Sequence, residues 1–496
     1  MSNVNEMSKS LEQTQPDEKN QEKLANIEYK NKLKQLQKVL FEWSKSVDIN
    51  CYHKMFEYRP NFKVQLIWLF ILLGSTGATF YFISKSIMDY LNYEVVSQTN
   101  IIYEIPTRFP TVTFCDNNPF SSNASQLFME TVALSNGISV NSSDTSDLSK
   151  LKATSVLISN DERKSFGLNL DQTIQCSFRN TDCKNDLHWY WTWEYGNCWQ
   201  FNSGLNLNNQ KIDLKSSYKA GSASGLTILV ILKLNINKYS QSSGDGVVVF
   251  VHNSSFKPVQ SVYVEPGKIT DIQVERTFIQ KRPQPYSDCE DLSSYSSDLY
   301  DYIIKQGQVY RQQDCFDLCV QKLVLTSCEC FFPGYQNLNT SLRPCLNSSD
   351  WTCCTHQYFS SSLTECQTKY CTLECSTIKY DLTLSSLVFP SQTYYENVLN
   401  TQVNRDSFRS ITNQTLTLDS VRSHAVYFNI YYPSLQYTLI TEKEKTSIAD
   451  LFSQMGGALG LFVSFSIFTL FEFLELLILI IYDGFFKRIS NKIGDT

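Results

Sequence analysis

The chain has 496 residues, room for one large domain or several smaller ones, with 43 basic against 49 acidic side chains and a net charge of −6. So slight an imbalance supplies no polyanion- or nucleic-acid-binding surface. Aromatic residues reach 13%, with 28 Tyr and 31 Phe, which favours a strand-rich, well-packed body, and the polar start MSNVNEMSKS lacks the apolar core of a cleaved secretory signal.

Residues 1–63 form the first region. Up to about residue 40 it is polar, and Leu24, Ile27, Leu33, Leu36 and Leu40 give only a thin apolar stripe, so a mobile tail is expected. From Phe41 to Arg59 (FEWSKSVDINCYHKMFEYR) aromatics return, which suits a segment lying against a membrane face. Residues 64–83, VQLIWLFILLGSTGATFYFI, are twenty uncharged positions, the length of a transmembrane helix. Lys45, Lys54, Arg59 and Lys63 precede this run and only Lys85 closely follows it, so the N-terminus is placed in the cytosol. Tyr90 and Tyr93 follow at the position of an interfacial aromatic belt.

Residues 84–447 read as one extracellular, cysteine-rich domain. In RFPTVTFCDNNPF, Phe109, Thr111 and Thr113 alternate with Val112 and Phe114 as a strand closed by an Asp-Asn-Asn-Pro turn. Residues 121–175 are Ser/Asn/Asp-rich and read as a partly exposed insertion. GLTILVILKLNI, DGVVVFVHN and SVYVEPGKITDIQVERTFIQ then give β-branched runs for an antiparallel sheet core, the last split by the turn Glu265-Pro266-Gly267. Ala425–Tyr437, AVYFNIYYPSLQY, reads as a final strand leading to the second span.

Fifteen of the sixteen cysteines and all six glycosylation sequons (Asn123, Asn141, Asn253, Asn339, Asn347 and Asn413) lie in this region, and only Cys51 lies before the first span. Cys315 and Cys319 are four apart in a helical run, and Cys371 and Cys375 repeat the interval, so two facing pairs could form disulfide rungs. Cys328-x-Cys330 and Cys353-Cys354 are spaced wrongly for a zinc finger, and no structural metal or other cofactor is expected. Fifteen is odd, so one extracellular cysteine is unpaired or intermolecular, with adjacent Cys353 and Cys354 the place to look.

Residues 448–482 make the second span. From Gly456 to Phe471 there is no charge, and Gly456, Gly460 and Ser464 recur every fourth position, a stripe that lets helices approach closely in lipid. Ser464 and Ser466 flank Phe465, and Glu472 and Glu475 are three apart, on one helical face. A charge at mid-membrane costs about 2.5–3.5 kcal/mol unless it meets water or a partner, so two on one face point to a water-filled lumen shared with other copies. The competing reading is a plain anchor whose glutamates reach the far interface. Lys487, Arg488 and Lys492 in residues 483–496 put the C-terminus in the cytosol as well.

FPTVTFCDNNPF, YGNCWQFN (195–202), Pro285-Tyr286-Ser287-Asp288-Cys289, the Cys315, Cys319, Cys328, Cys330 series and GGALGLFVSFS followed by Glu472 together resemble the degenerin/epithelial sodium channel/acid-sensing ion channel superfamily. Residues 1–40 and 121–175 lie outside the resemblance. It implies an α+β membrane protein of the plasma membrane: a homo- or heterotrimeric, sodium-selective, amiloride-sensitive channel with two transmembrane helices flanking a disulfide-rich, β-rich extracellular domain. The selectivity element falls on Ser464, Phe465 and Ser466. Residues two apart do not share a helical face, so such a filter needs the helix interrupted and its backbone carbonyls turned to the ion. Glu472 and Glu475 would form acidic rings. Ser453 matches the position where large side chains hold such channels open, and Gly460 one linked to amiloride block.

The resemblance pairs Cys115 with Cys198, Cys176 with Cys183, Cys289 with Cys375, Cys315 with Cys371, Cys319 with Cys366, Cys330 with Cys345, and Cys328 with Cys353 or Cys354. It sets Tyr286 against Tyr90 as the coupling contact. Asn50-Cys51 stands where the family has a His-Gly gating pair. None of the five histidines lies near Tyr90–Val95, so an extracellular ligand such as a neuropeptide, or constitutive opening, is preferred to a proton as the gating signal. A two-anchor, non-conducting receptor explains the topology but not the paired glutamates. An ATP-gated channel would need a basic phosphate-binding cluster, and no nucleophile elbow, zinc-helix motif or phosphate loop marks an enzyme.

Overall fold

The computed structural model describes residues 62–135, 145–234, 242, 244–254, 260–293, 295–338, 341–359, 364, 366, 370–466, 469–471, 474–475 and 477–478. The chain divides into two compact units, Val95–Lys443 and a second made of Met1–Glu94 with Glu444–Thr496.

In chain order the principal strands of the first unit are β1 (Val95–Tyr103), β2 (Thr111–Asp116), β3 (Thr173–Phe178), β4 (Leu187–Thr192), β5 (Gly196–Phe201) and β6 (Leu226–Ile231). They continue as β7 (Val247–His252), β8 (Ser261–Val264), β9 (Lys268–Gln280), β10 (Ser376–Val388), β11 (Ala425–Tyr431) and β12 (Gln436–Glu444). One sheet has the order β8-β7-β2-β5-β4 and is antiparallel throughout. The other has the order β1-β12-β9-β11-β6-β3, ends on the short strand Thr181–Asp182, and carries β10 along β9.

β9 is the spine of the larger sheet. β10 pairs antiparallel along its whole length, so β11 and β12 share its other edge: β11 against Ile269–Gln273 and β12 against Arg276–Gln280, both parallel. Two expectations are corrected here. The sheet is mixed rather than antiparallel, because the chain returns to β9 through long excursions rather than hairpins. The final strand is two collinear segments, split where Tyr432-Pro433-Ser434-Leu435 breaks the ladder. The Glu265-Pro266-Gly267 turn likewise makes no hairpin; it carries the chain from β8 in one sheet to β9 in the other. Gly267 has φ +74°, and a Cβ there would lie 2.7 Å from the Arg422 carbonyl oxygen, so only glycine fits.

The main core lies between the sheets. Leu226, Ile228 and Val230 of β6, Ile272 and Val274 of β9, and Phe428 and Ile430 of β11 meet Val112, Phe114, Phe201, Val247, Val249 and Val251 from the smaller sheet. The alternate residues of β6, Leu229 and Ile231, are buried on the opposite side with Phe408 and Val421. Burial on both faces explains the unbroken apolar run Ile228-Leu229-Val230-Ile231. On the inner face of β9, Arg276 is 5% exposed. It bonds Glu104 at 2.7 Å and lies 5.2–5.7 Å from the rings of Phe278, Tyr432 and Tyr437.

Residues 121–175, expected as a partly exposed insertion, carry helices Asn123–Ser135 and Thr145–Thr154 over a small core of their own, Phe120, Met129, Ala133, Leu151 and Phe166. The i, i+4 pair Met129 and Ala133 was the available signal beneath the polar composition. Along β4 and the turn after it, Trp189, Trp191 and Trp193 recur every second residue. Lys164, Arg163 and Lys152 lie 5.3, 4.5 and 5.5 Å from those rings. These cation–π contacts fasten the helical segment to the sheet edge. Burial lowers the Lys152 ammonium to about 8.

Asp116, at the end of β2, is 3% exposed and accepts a hydrogen bond from the Asn118 amide at 2.9 Å. Burial pushes its carboxyl up to about 7 from 3.8, with nearby Asp245 adding to the rise and the Asn118 and Ser121 bonds opposing it. Between those two values the folded state holds the proton more firmly than the unfolded state, so stability falls as pH rises from about 4 to about 7. Asp116→Asn is expected to raise the Tm of the full chain at pH 8, by on the order of a few kcal/mol of stability, and to lose that advantage at pH 4. An equal gain at both pH values would contradict the burial of a titrating acid here.

Candidate functional site

The second unit holds two helices. The helix Phe62–Leu91 (α1) has 30 residues and contains an 18-residue stretch of mean hydropathy 1.9, so by length and composition it suffices to cross a membrane. Phe62, Phe70, Phe80 and Tyr81 are exposed on it, which suits an apolar surround better than water. It runs past both ends of the expected span at 64–83. The helix Ile448–Val463 (α2) starts at Ser447, whose side chain caps Asp450 N–H while the Asp450 side chain caps Ser447 N–H. Thr79 and Ala458 are buried, and Phe82 stacks on Phe462 with centroids 5.4 Å apart and planes 8° apart. Small residues thus lie where α1 and α2 pack. Gly456 and Gly457 do not take part, since a Cβ on either would meet no heavy atom within 4 Å. Just before α2, Lys445 pairs with Glu94, which raises the ammonium's pKa by a hydrogen bond and by charge.

α2 ends at Val463. Ser464 adopts φ +59° and ψ +25°, its N–H turns to Leu459 O, and Phe465 N–H reaches the same oxygen at 3.1 Å. This closure leaves last-turn carbonyls without intrahelical donors. Three residues on, Ser466 N–H donates to Thr469 Oγ1 at 3.1 Å and Thr469 N–H donates to Ser466 Oγ at 3.4 Å. Leu470 N–H then bonds Ser466 O at 3.3 Å, and described residues from Thr469 to Ile478 are again helical. The interruption falls on Ser464, Phe465 and Ser466. Gly460 lies one turn before it, where a Cβ would come 3.9 Å from Phe465 O.

Among the other expected residues, Glu475 is exposed, and Ser453 is exposed on α2. Glu472, Asn50 and Cys51 lie outside the described residues. Tyr90 stands 6.3 Å from Tyr93 in this unit, while Tyr286 belongs to the other and lies 5.5 Å from Arg282.

The first unit joins Cys115–Cys198, Cys176–Cys183, Cys289–Cys375, Cys315–Cys371, Cys319–Cys366, Cys328–Cys353 and Cys330–Cys345 as disulfides. Cys315 and Cys319 do share the helix Gln312–Cys328, but Cys371 and Cys375 do not face them as a matched pair: Cys375 turns to Cys289, because Cys371 and Cys375 flank the short strand Leu373–Glu374 rather than sit on a helix. Cys354 is free and buried, its Sγ 3.8 Å from that of Cys330, and burial pushes its thiol up to about 12. The cluster Cys330, Cys345 and Cys354 has metal-like proximity, but the first two are bonded to each other and cannot ligate together. Asn123, Asn347 and Asn413 are exposed and Asn253 is half-buried; Asn141 and Asn339 lie outside the described residues. The tryptophan–cation contacts and the Arg276 cage went unread in the sequence, although the alternation in WYWTW was visible.

The family model described as amiloride-sensitive sodium channel matches residues 43–476. The chain is similar to the bile acid-sensitive ion channel of Homo sapiens, 23% identical over 86% of this chain and 83% of that one. It is similar to the acid-sensing ion channel 1C of Danio rerio, 23% identical over 86% and 81% of the two chains. To degenerin deg-1 of Caenorhabditis elegans it is 24% identical over 69% of this chain, spanning only 43% of that longer protein.

Replacing Ser464 tests the left-handed closure of α2. Ser464→Gly is expected to preserve it, whereas Ser464→Val, β-branched at positive φ, costs about 1–2 kcal/mol. Thermal unfolding of the full chain in detergent should therefore rank Gly at or above wild type and Val below it; equal melting of all three would contradict the closure.

Proposed function

This chain belongs to the amiloride-sensitive sodium channel family, and on that premise we propose that it is a subunit of a plasma-membrane sodium channel opened by an extracellular ligand. Its relatives include channels named for bile acids and for acid, and the family is one of ion channels rather than enzymes. In the proposed arrangement α1 and the interrupted second helix both cross the membrane, both termini are cytosolic, and three identical or related subunits surround one axis. The carrying observation is the break in the second helix at Ser464–Ser466. Peptide carbonyls freed from an α-helical ladder are ion ligands of the kind that filters use. Glu475, exposed beyond the break, and Glu472 would hold cations at the inner mouth. The exposed stripe at Gly456 would meet a neighbouring subunit.

The preferred ligand is a neuropeptide, with amiloride as a blocker acting near Gly460. A second reading, a proton as the ligand, draws support from Asp116, whose carboxyl titrates near neutrality inside the β-rich unit. Whole-cell recording from oocytes expressing the full chain separates these readings. Peptides, bile acids and pH steps are applied in turn, each with an amiloride challenge. A sodium current evoked by any of them and blocked by amiloride supports the assignment. Correctly delivered protein that stays silent alone and with related subunits counts against it.

Two substitutions probe the pore directly. Glu472→Ala with Glu475→Ala is expected to lower single-channel conductance about two-fold or more while surface delivery is unchanged; an unaltered conductance removes the acidic ring. Ser453→Phe is expected to raise the resting sodium current, and an unchanged resting current at normal surface density would deny that position a gating role.

A further inference from the structure

The two serines flanking Phe465 do different work. The Ser466 hydroxyl accepts from Thr469 N–H at 3.4 Å and lies 3.3 Å from Thr469 Oγ1, which in turn accepts from Ser466 N–H at 3.1 Å. This is a reciprocal N-cap, and it closes the donors that a restarting helix leaves open. Thr469 is 1% exposed, so water does not replace either bond if the hydroxyl is lost. Upstream, the left-handed Ser464 closes the first half of the helix on Leu459. Phe465 is left between the two closures. The length of the interruption is therefore fixed by two caps, and Thr469, outside the Ser464–Ser466 triplet, supplies one of them.

We infer that Thr469 is a positioning residue for ion selectivity: its hydroxyl fixes where the helix resumes and so sets the spacing of the peptide carbonyls at Ser464 and Phe465. This rests on reading the triplet as the filter. Ser466 then serves as a cap through its hydroxyl, and discrimination between sodium and potassium follows from backbone spacing that Thr469 holds. Loss of an N-cap shifts a helix-start equilibrium by about five-fold.

The test is the sodium-to-potassium permeability ratio of the full chain in oocytes, at matched surface delivery. Thr469→Val, equal in shape but without the hydroxyl, is expected to lower the ratio about five-fold, while Thr469→Ser keeps it. Ser466→Ala should lower it similarly, and the double variant should fall short of the two losses added together, because each side chain accepts one backbone bond of a single reciprocal cap and the two share the contact between their hydroxyls. If Thr469→Val does not reach the surface, Thr469→Cys, a weak acceptor of similar size, replaces it. Ser464→Cys and Phe465→Cys, probed with cadmium ions, report separately on the filter. Cadmium block with an unchanged ratio in Thr469→Val overturns the inference and leaves the filter reading standing. Absence of block at both positions overturns the two together.

Discussion

An α-helix turns 100° per residue, so Ser464 and Ser466 cannot both face one axis while its hydrogen-bond ladder is intact. In this chain the ladder is broken there. A left-handed residue closes one half on Leu459, a serine–threonine cap opens the other, and carbonyls that would have accepted helical donors are released. Inside a bilayer such irregular backbone is tolerated only where it is covered by protein or lines water. That physical restriction is what turns a local irregularity into an argument for a pore.

The β-rich unit obeys a different constraint, burial of one core between two sheets. β9 supplies the spine, and its inner face passes from Thr270, Ile272 and Val274 to Arg276. A buried guanidinium needs a charge partner and aromatic company, and Glu104 with the surrounding Phe and Tyr rings provides both. Cys354 shows the same economy in the cysteine-rich region, a thiol kept neutral by burial beside a completed disulfide.

Much of this was legible in the residues. Hydropathy marked α1, β-branched runs marked β6, β7 and β9, and a filter placed on Ser464, Phe465 and Ser466 by family resemblance implied an interrupted helix. What local patterns could not supply was pairing at a distance. Nothing in AVYFNIYYPSLQY says that its two halves lie parallel to β9, since register depends on partners more than a hundred residues away. The helical segment after Phe120 was hidden for the opposite reason: its core is only a few residues, diluted by polar neighbours. The role of Cys371 and Cys375 was misread from interval alone, because equal spacing places residues on one face only if the segment is a helix.

The proposed pore stands or falls on water reaching the second helix at mid-membrane. The direct measurement is collision accessibility of a spin label placed at residue 464, and then at 475, in the full chain reconstituted in lipid vesicles. A water-filled axis predicts stronger relaxation by a water-soluble nickel chelate than by oxygen dissolved in the hydrocarbon. Relaxation by oxygen alone at both positions would mean that lipid surrounds the helix and that no conduction path runs along it.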